Sequence, residues 1–125
     1  MKRMLSALVL LLGLMGGGVN ARSTCFVINH TDHNLTYGMR VRRFRPSCND
    51  LHHVRNNVSL PSGATQEVII NSGYGVADYA ANITSMGNKR TTRDIPCDQM
   101  TNRDTYVRFF YEDGKLTNTI QISPH

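Results

Sequence analysis

The chain has 125 residues, a formal net charge of +5 and 18% charged side chains. That length holds one domain with one modest core. It carries no internal repeat, low-complexity tract or coiled-coil pattern, which excludes solenoid and fibrous classes.

Met1-Lys2-Arg3 is a short basic segment, and Leu5 to Met15 is an apolar run without charge. Gly16, Gly17 and Gly18 follow, then Val19-Asn20-Ala21. Basic, then apolar, then small is the order of a secretory signal peptide, and Val19 and Ala21 suit cleavage after Ala21. A membrane-spanning helix needs about 20 apolar residues, more than this run supplies before its glycines. Arg22-Ser23-Thr24, ahead of Cys25, lack the small apolar residues of a lipoprotein signal. The expectation is a leader over 1–21 and one secreted or periplasmic domain over 22–125, with no transmembrane segment after cleavage. Losing Lys2 and Arg3 lowers the charge from +5 to +3, a mild bias toward anionic partners.

Thr24 to Asn29 reads as a strand apolar on both sides, Phe26 and Ile28 opposing Cys25 and Val27. Thr31-Asp32-His33-Asn34 is a turn cluster. Leu35 to Arg42 alternates, with Leu35, Tyr37, Met39 and Val41 opposing Thr36, Gly38, Arg40 and Arg42. These two runs are expected to pair as a hairpin. Pro46 to Asp50 is a loop. His52 to Leu60 is a weak strand whose apolar parity is Val54, Val58 and Leu60. Pro61-Ser62-Gly63-Ala64 then turns into a strand through Val68-Ile69-Ile70. Tyr74 to Met86 fits a helical stripe or a short strand, and strand is preferred because its neighbours are strands. Gly87 to Asp104 is polar and reads as loop, anchored by Ile95-Pro96-Cys97.

The C-terminal stretch carries the clearest signal. Thr105 to Glu112 and Lys115 to Ile122 flank Asp113-Gly114, which suits a type I′ turn. That turn pairs Glu112 with Lys115, Tyr111 with Leu116, Phe109 with Asn118, Val107 with Ile120 and Thr105 with Ile122. One face then holds Val107, Phe109, Tyr111, Leu116, Ile120 and Ile122. The other holds Tyr106, Arg108, Thr117, Thr119 and Gln121, with Phe110 as a misfit. The fold expected is all-β: a small antiparallel sandwich or barrel of about six to seven strands with one disulfide.

Export makes a disulfide expected among Cys25, Cys48 and Cys97. Cys48 and Cys97 lie in polar, proline-marked loops, whereas Cys25 opens an apolar run and suits a buried thiol. Cys48–Cys97 is the preferred pair and Cys25–Cys97 the alternative. No redox-type Cys-x-x-Cys spacing is present.

Four features bear on function. Arg40, Arg42, Arg43 and Arg45, with Phe44 among them, form a basic strand end suited to phosphate, sulfate or carboxylate groups. The ordinary alternative is a solvated charged face. His30, His33, His52 and His53, with Asp32, are candidate Zn or Cu ligands, but no tight ligand motif joins them. Glu67, His52 or His53, and Arg40 supply the residue types of a ribonuclease-like hydrolase. Asn-x-Ser/Thr sequons stand at Asn29, Asn34, Asn57 and Asn82. The function expected is non-enzymatic binding of a protein or an anionic envelope polymer, with no cofactor and with nucleic acid disfavoured. A metal-binding protein and a small basic hydrolase are the alternatives.

Overall fold

The computed structural model describes residues 22–44, 47–87 and 89–124. The expected leader lies outside these residues, as does Arg45. Eight strands follow one another: β1 Ser23–Asn29, β2 Leu35–Arg43, β3 Leu51–Leu60, β4 Thr65–Ile70, β5 Tyr74–Ile83, β6 Arg90–Asp94, β7 Thr105–Glu112 and β8 Lys115–Ile122. One turn of 3-10 helix, Cys97–Gln99, precedes β7. The strands form two four-stranded sheets, ordered β4-β1-β7-β8 and β3-β2-β5-β6. All pairs are antiparallel except β1 with β7.

The sheets pack face to face because the central strands β1, β2, β5 and β7 each offer one buried parity. Leu35, Tyr37, Met39 and Val41 of β2 are buried, and so are Cys25 and Val27 of β1 and Val107 and Phe109 of β7. Tyr79 meets Phe109 edge-on across the core, ring centroids 5.9 Å apart. Each buried tyrosine sends its hydroxyl to the opposite sheet, Tyr37 to Gln66 Oε1 and Tyr79 to Asn118 Oδ1, both at 2.7 Å. An apolar ring thus enters the core without leaving its polar end unpaired.

The C-terminal hairpin has the expected register from Glu112↔Lys115 to Thr105↔Ile122. Asp113 at φ 53° and Gly114 at φ 76° supply the two positive angles of its turn. Residues 74–83 are strand. Cys48 and Cys97 form the disulfide, Cα atoms 6.2 Å apart, and Cys25 is a buried free thiol.

Two expectations are corrected. β1 and β2 are not a hairpin: they lie in different sheets. The expected turn between β3 and β4 is present, and it too crosses between sheets. The two crossings are bonded to each other through Asn29. Its Nδ2 donates to the carbonyls of His33 (2.8 Å) and Leu60 (3.0 Å), and its Oδ1 accepts from Thr31 N (2.8 Å) and Oγ1 (2.7 Å). Ser62 Oγ adds a bond to Thr31 O at 2.6 Å. This knot satisfies the polar groups that the crossing turns bury. The second correction is β6, which lies inside the stretch expected to be loop. Arg90–Asp94 has no apolar parity and is ordered by pairing with β5.

Candidate binding surfaces

The basic strand end is largely engaged by its own chain. Arg40 lies on the outer face of β2, and its Nε and Nη2 donate to Asp78 Oδ1 and Oδ2 at 3.0 and 2.6 Å. The Asp78 hydrogen bond and charge raise the Arg40 pKa further. Arg43 donates from Nε and Nη2 to Tyr74 Oη at 3.2 and 2.9 Å, with its guanidinium 5.3 Å from that ring. Arg42 is half-buried, and its Nε has no hydrogen-bond partner among the described residues. An anion at this end would compete with Asp78 for Arg40. Arg40 and Arg43 are therefore not open forks.

The histidines divide between the two sheets. His30 and His33 pack on β7 residues, His30 stacked on Phe110 and His33 edge-on to Tyr111. His52 sits 3.2 Å from Asp50 and edge-on to Tyr74. His53 is the cross-strand partner of Arg40. Asp32 is exposed in the first crossing turn. Among the described residues no three His, Cys, Asp or Glu side chains gather as a metal site. The hydrolase trio is also dispersed. Arg40 and His53 lie on the β3-β2-β5-β6 sheet, whereas Glu67 is on the outer parity of β4, opposite Phe26 in the other sheet.

The outer face of the β4-β1-β7-β8 sheet presents a different surface. Phe26 of β1 and Tyr106 of β7 are paired across the parallel ladder, and their rings stack at 5.0 Å and 14°. The Arg108 guanidinium lies 5.5 Å from the Tyr106 ring centroid. Arg108 Nη1 is 3.4 Å from His30 Nε2. His30 stacks in turn on Phe110, centroids 5.0 Å apart and 7° from parallel. Five side chains thus form one continuous column across β1 and β7. Ile28 lies beside it, and Ile69, 47% exposed, lies on the same parity of β4.

Sequence reasoning missed this column because its core is a parallel pairing between strands far apart in the chain. One signal was present: Phe110 broke the polar parity of its hairpin face.

No protein-family model matches the chain, and no curated protein sequence matches it. The solved structures similar to this chain include these two. One is a protein from Eubacterium rectale solved by NMR, with TM-score 0.49 and 14% identity, covering 86% of this chain and 94% of that one. The other is the membrane-binding domain of pneumolysin, with TM-score 0.51 and 6% identity, covering 83% of this chain and 99% of that one. At 6% identity the second likeness is one of fold alone.

Proposed function

We propose that this chain is a non-enzymatic binding protein whose recognition surface is the outer face of the β4-β1-β7-β8 sheet, and that its partner is another protein. The observation that carries the reading is the column Phe26–Tyr106–Arg108–His30–Phe110. Protein interfaces concentrate Tyr, Phe and Arg at their centre and deplete Lys, Glu and Asp there. On the same parity the rim holds the neutral polar Thr24, Thr65, Thr117, Thr119 and Gln121, together with the carboxylate of Glu67 opposite Phe26. Arg108 gives the centre a cationic donor, so the matching surface is apolar with a carboxylate at its middle. The Cys48–Cys97 disulfide supports an oxidising compartment for the encounter.

The test is capture from the native envelope fraction with three proteins: wild type, Tyr106→Ala/Arg108→Ala, and Arg40→Ala/Arg42→Ala. Support is one protein retained in stoichiometric amount by wild type and by the Arg40/Arg42 variant, and lost with the folded Tyr106/Arg108 variant. Loss with the Arg40/Arg42 variant alone would move the site to β2. Retention of anionic vesicles or wall polymer, with no protein, would overturn the protein reading in favour of an envelope component.

A further inference from the structure

The two sheets lean together where β6 and β8 meet. Asn118 closes this edge: its Oδ1 accepts from Tyr79 Oη and Arg93 Nε at 2.7 Å each, and its Nδ2 donates to Thr91 Oγ1 at 2.7 Å. Toward the end of β8 the sheets part around a cleft of about 440 Å³. Its floor is the buried Val76, Ile95 and Thr105, its walls the half-buried Met100 and Ile120, and Ile122, 42% exposed, stands at the mouth.

The roof of this cleft is fixed rather than free to collapse. Met100 N bonds Cys97 O at 3.3 Å, and Cys97 is held by the disulfide. Just beyond, Asn102 Nδ2 donates to Asn71 O at 2.9 Å and to Tyr74 O at 2.7 Å. A preformed cavity lets a ligand bind without the cost of ordering a loop. Both the size and the apolar lining match small-molecule pockets, which span about 300–1,000 Å³.

The rim decides the ligand's charge. Arg93 and Asp94 stand at the same mouth with opposite charges. Arg93 is also engaged through Nε and Nη2 by Asn118 Oδ1 and O at 2.7 and 3.2 Å, so it is not an open anion fork. The remaining polar rim groups, Gln99 and Thr101, are neutral donors and acceptors. An anionic head group would meet the Asp94 carboxylate and a guanidinium already in use, and a cationic one would meet the charge of Arg93. We infer that the β6–β8 cleft binds an uncharged amphiphile: a medium-length acyl or aryl group ending in a hydroxyl, amide or ester.

The probe is N-phenyl-1-naphthylamine, uncharged at neutral pH, whose fluorescence rises in apolar surroundings. Purified wild type is expected to give a saturable rise at one equivalent. Decanol should displace the probe at lower concentration than decanoate. Ile122→Glu, a change at an exposed position, should weaken probe affinity about tenfold by placing a charge at the apolar mouth. Val76→Phe should abolish binding by filling the floor; if it does not fold, Ile122→Glu decides alone. Phe26→Ala/Tyr106→Ala should leave the probe signal unchanged, which separates this site from the outer sheet face. No saturable rise with folded wild type would overturn the inference. So would unchanged affinity in Ile122→Glu, loss of signal in the Phe26/Tyr106 variant, or stronger displacement by decanoate.

Discussion

The ring of His30 lies flat on that of Phe110, 7° from parallel. Phe110 points away from the core, on the parity of Tyr106 and Arg108, where a solvated hairpin face calls for a polar residue. Its hydrophobic area is covered instead by a side chain from the turn after β1. Such aromatic pairs contribute about 0.5–1.5 kcal/mol beyond their area. A double-mutant cycle with His30→Ala and Phe110→Ala is expected to return a coupling energy in about that range by urea denaturation. Strict additivity would mean that the rings touch without stabilising each other.

Asn29 is fully buried with its carboxamide making four bonds, all within or between the two crossing turns. Asn29→Ala is therefore expected to cost about 2–4 kcal/mol, more than any single surface change, because it strands several buried groups at once. Thermal melting checks it. A loss under about 1 kcal/mol would show that water replaces the side chain. The same burial bears on the sequon at Asn29, whose side chain is not on the surface of the folded domain.

How much of this was legible in the sequence depends on range. The parity of β2, β7 and β8 could be read because a strand repeats every two residues, and Asp113-Gly114 pinned one register. Which sheet each strand joins could not. That choice rests on the Asn29 knot and on a parallel β1–β7 pairing, contacts between residues up to 80 positions apart. β6 was illegible because Arg-Thr-Thr-Arg-Asp has no buried face of its own. The Arg40 pair with Asp78 spans 38 positions and leaves no local trace, so the basic strand end looked more open than it is. Phe110 was the visible clue to the outer-face column, read as an exception and not as a contact.

Gly75 is a close-approach position. A Cβ there would lie 2.9 Å from Thr101 O, 3.2 Å from Met100 Cβ and 3.2 Å from Phe44 Cζ. Two of these atoms belong to the segment that roofs the β6–β8 cleft. Gly75→Ala is expected to destabilise by about 1–3 kcal/mol through overpacking and to shift the NMR signals of Met100 and Thr101. Wild-type stability and unmoved signals would mean that the backbone yields without strain.

The disulfide links the loop before β3 to the 3-10 turn before β7, 49 positions apart. Cys48→Ser/Cys97→Ser should lose about 3–4 kcal/mol in the chain-entropy model. Urea unfolding of wild type with and without reductant supplies an independent comparison. A variant as stable as the oxidised protein would show that packing alone holds the roof segment.

Cys25 gives the fold a defined alkaline limit. Burial pushes its thiol pKa up from 9.0 to about 11, opposed only weakly by a hydrogen bond with Thr105. The folded chain therefore holds this proton at a pH where the unfolded chain has released it. Its contribution is fully present below about pH 9 and is lost as pH rises toward 11, at up to about 1.4 kcal/mol per pH unit. Tyr37 and Tyr79, both raised chiefly by burial, act in the same direction at still higher pH. Urea unfolding at pH 8, 9 and 10 is expected to show stability falling between the last two. Cys25→Ala should fall less steeply over the same interval, since it removes the thiol and leaves the tyrosines. A thiol reagent at pH 8 should label Cys25 slowly in buffer and fast in denaturant. Rapid labelling of the folded protein, or identical pH slopes for wild type and variant, would show that Cys25 opens to solvent.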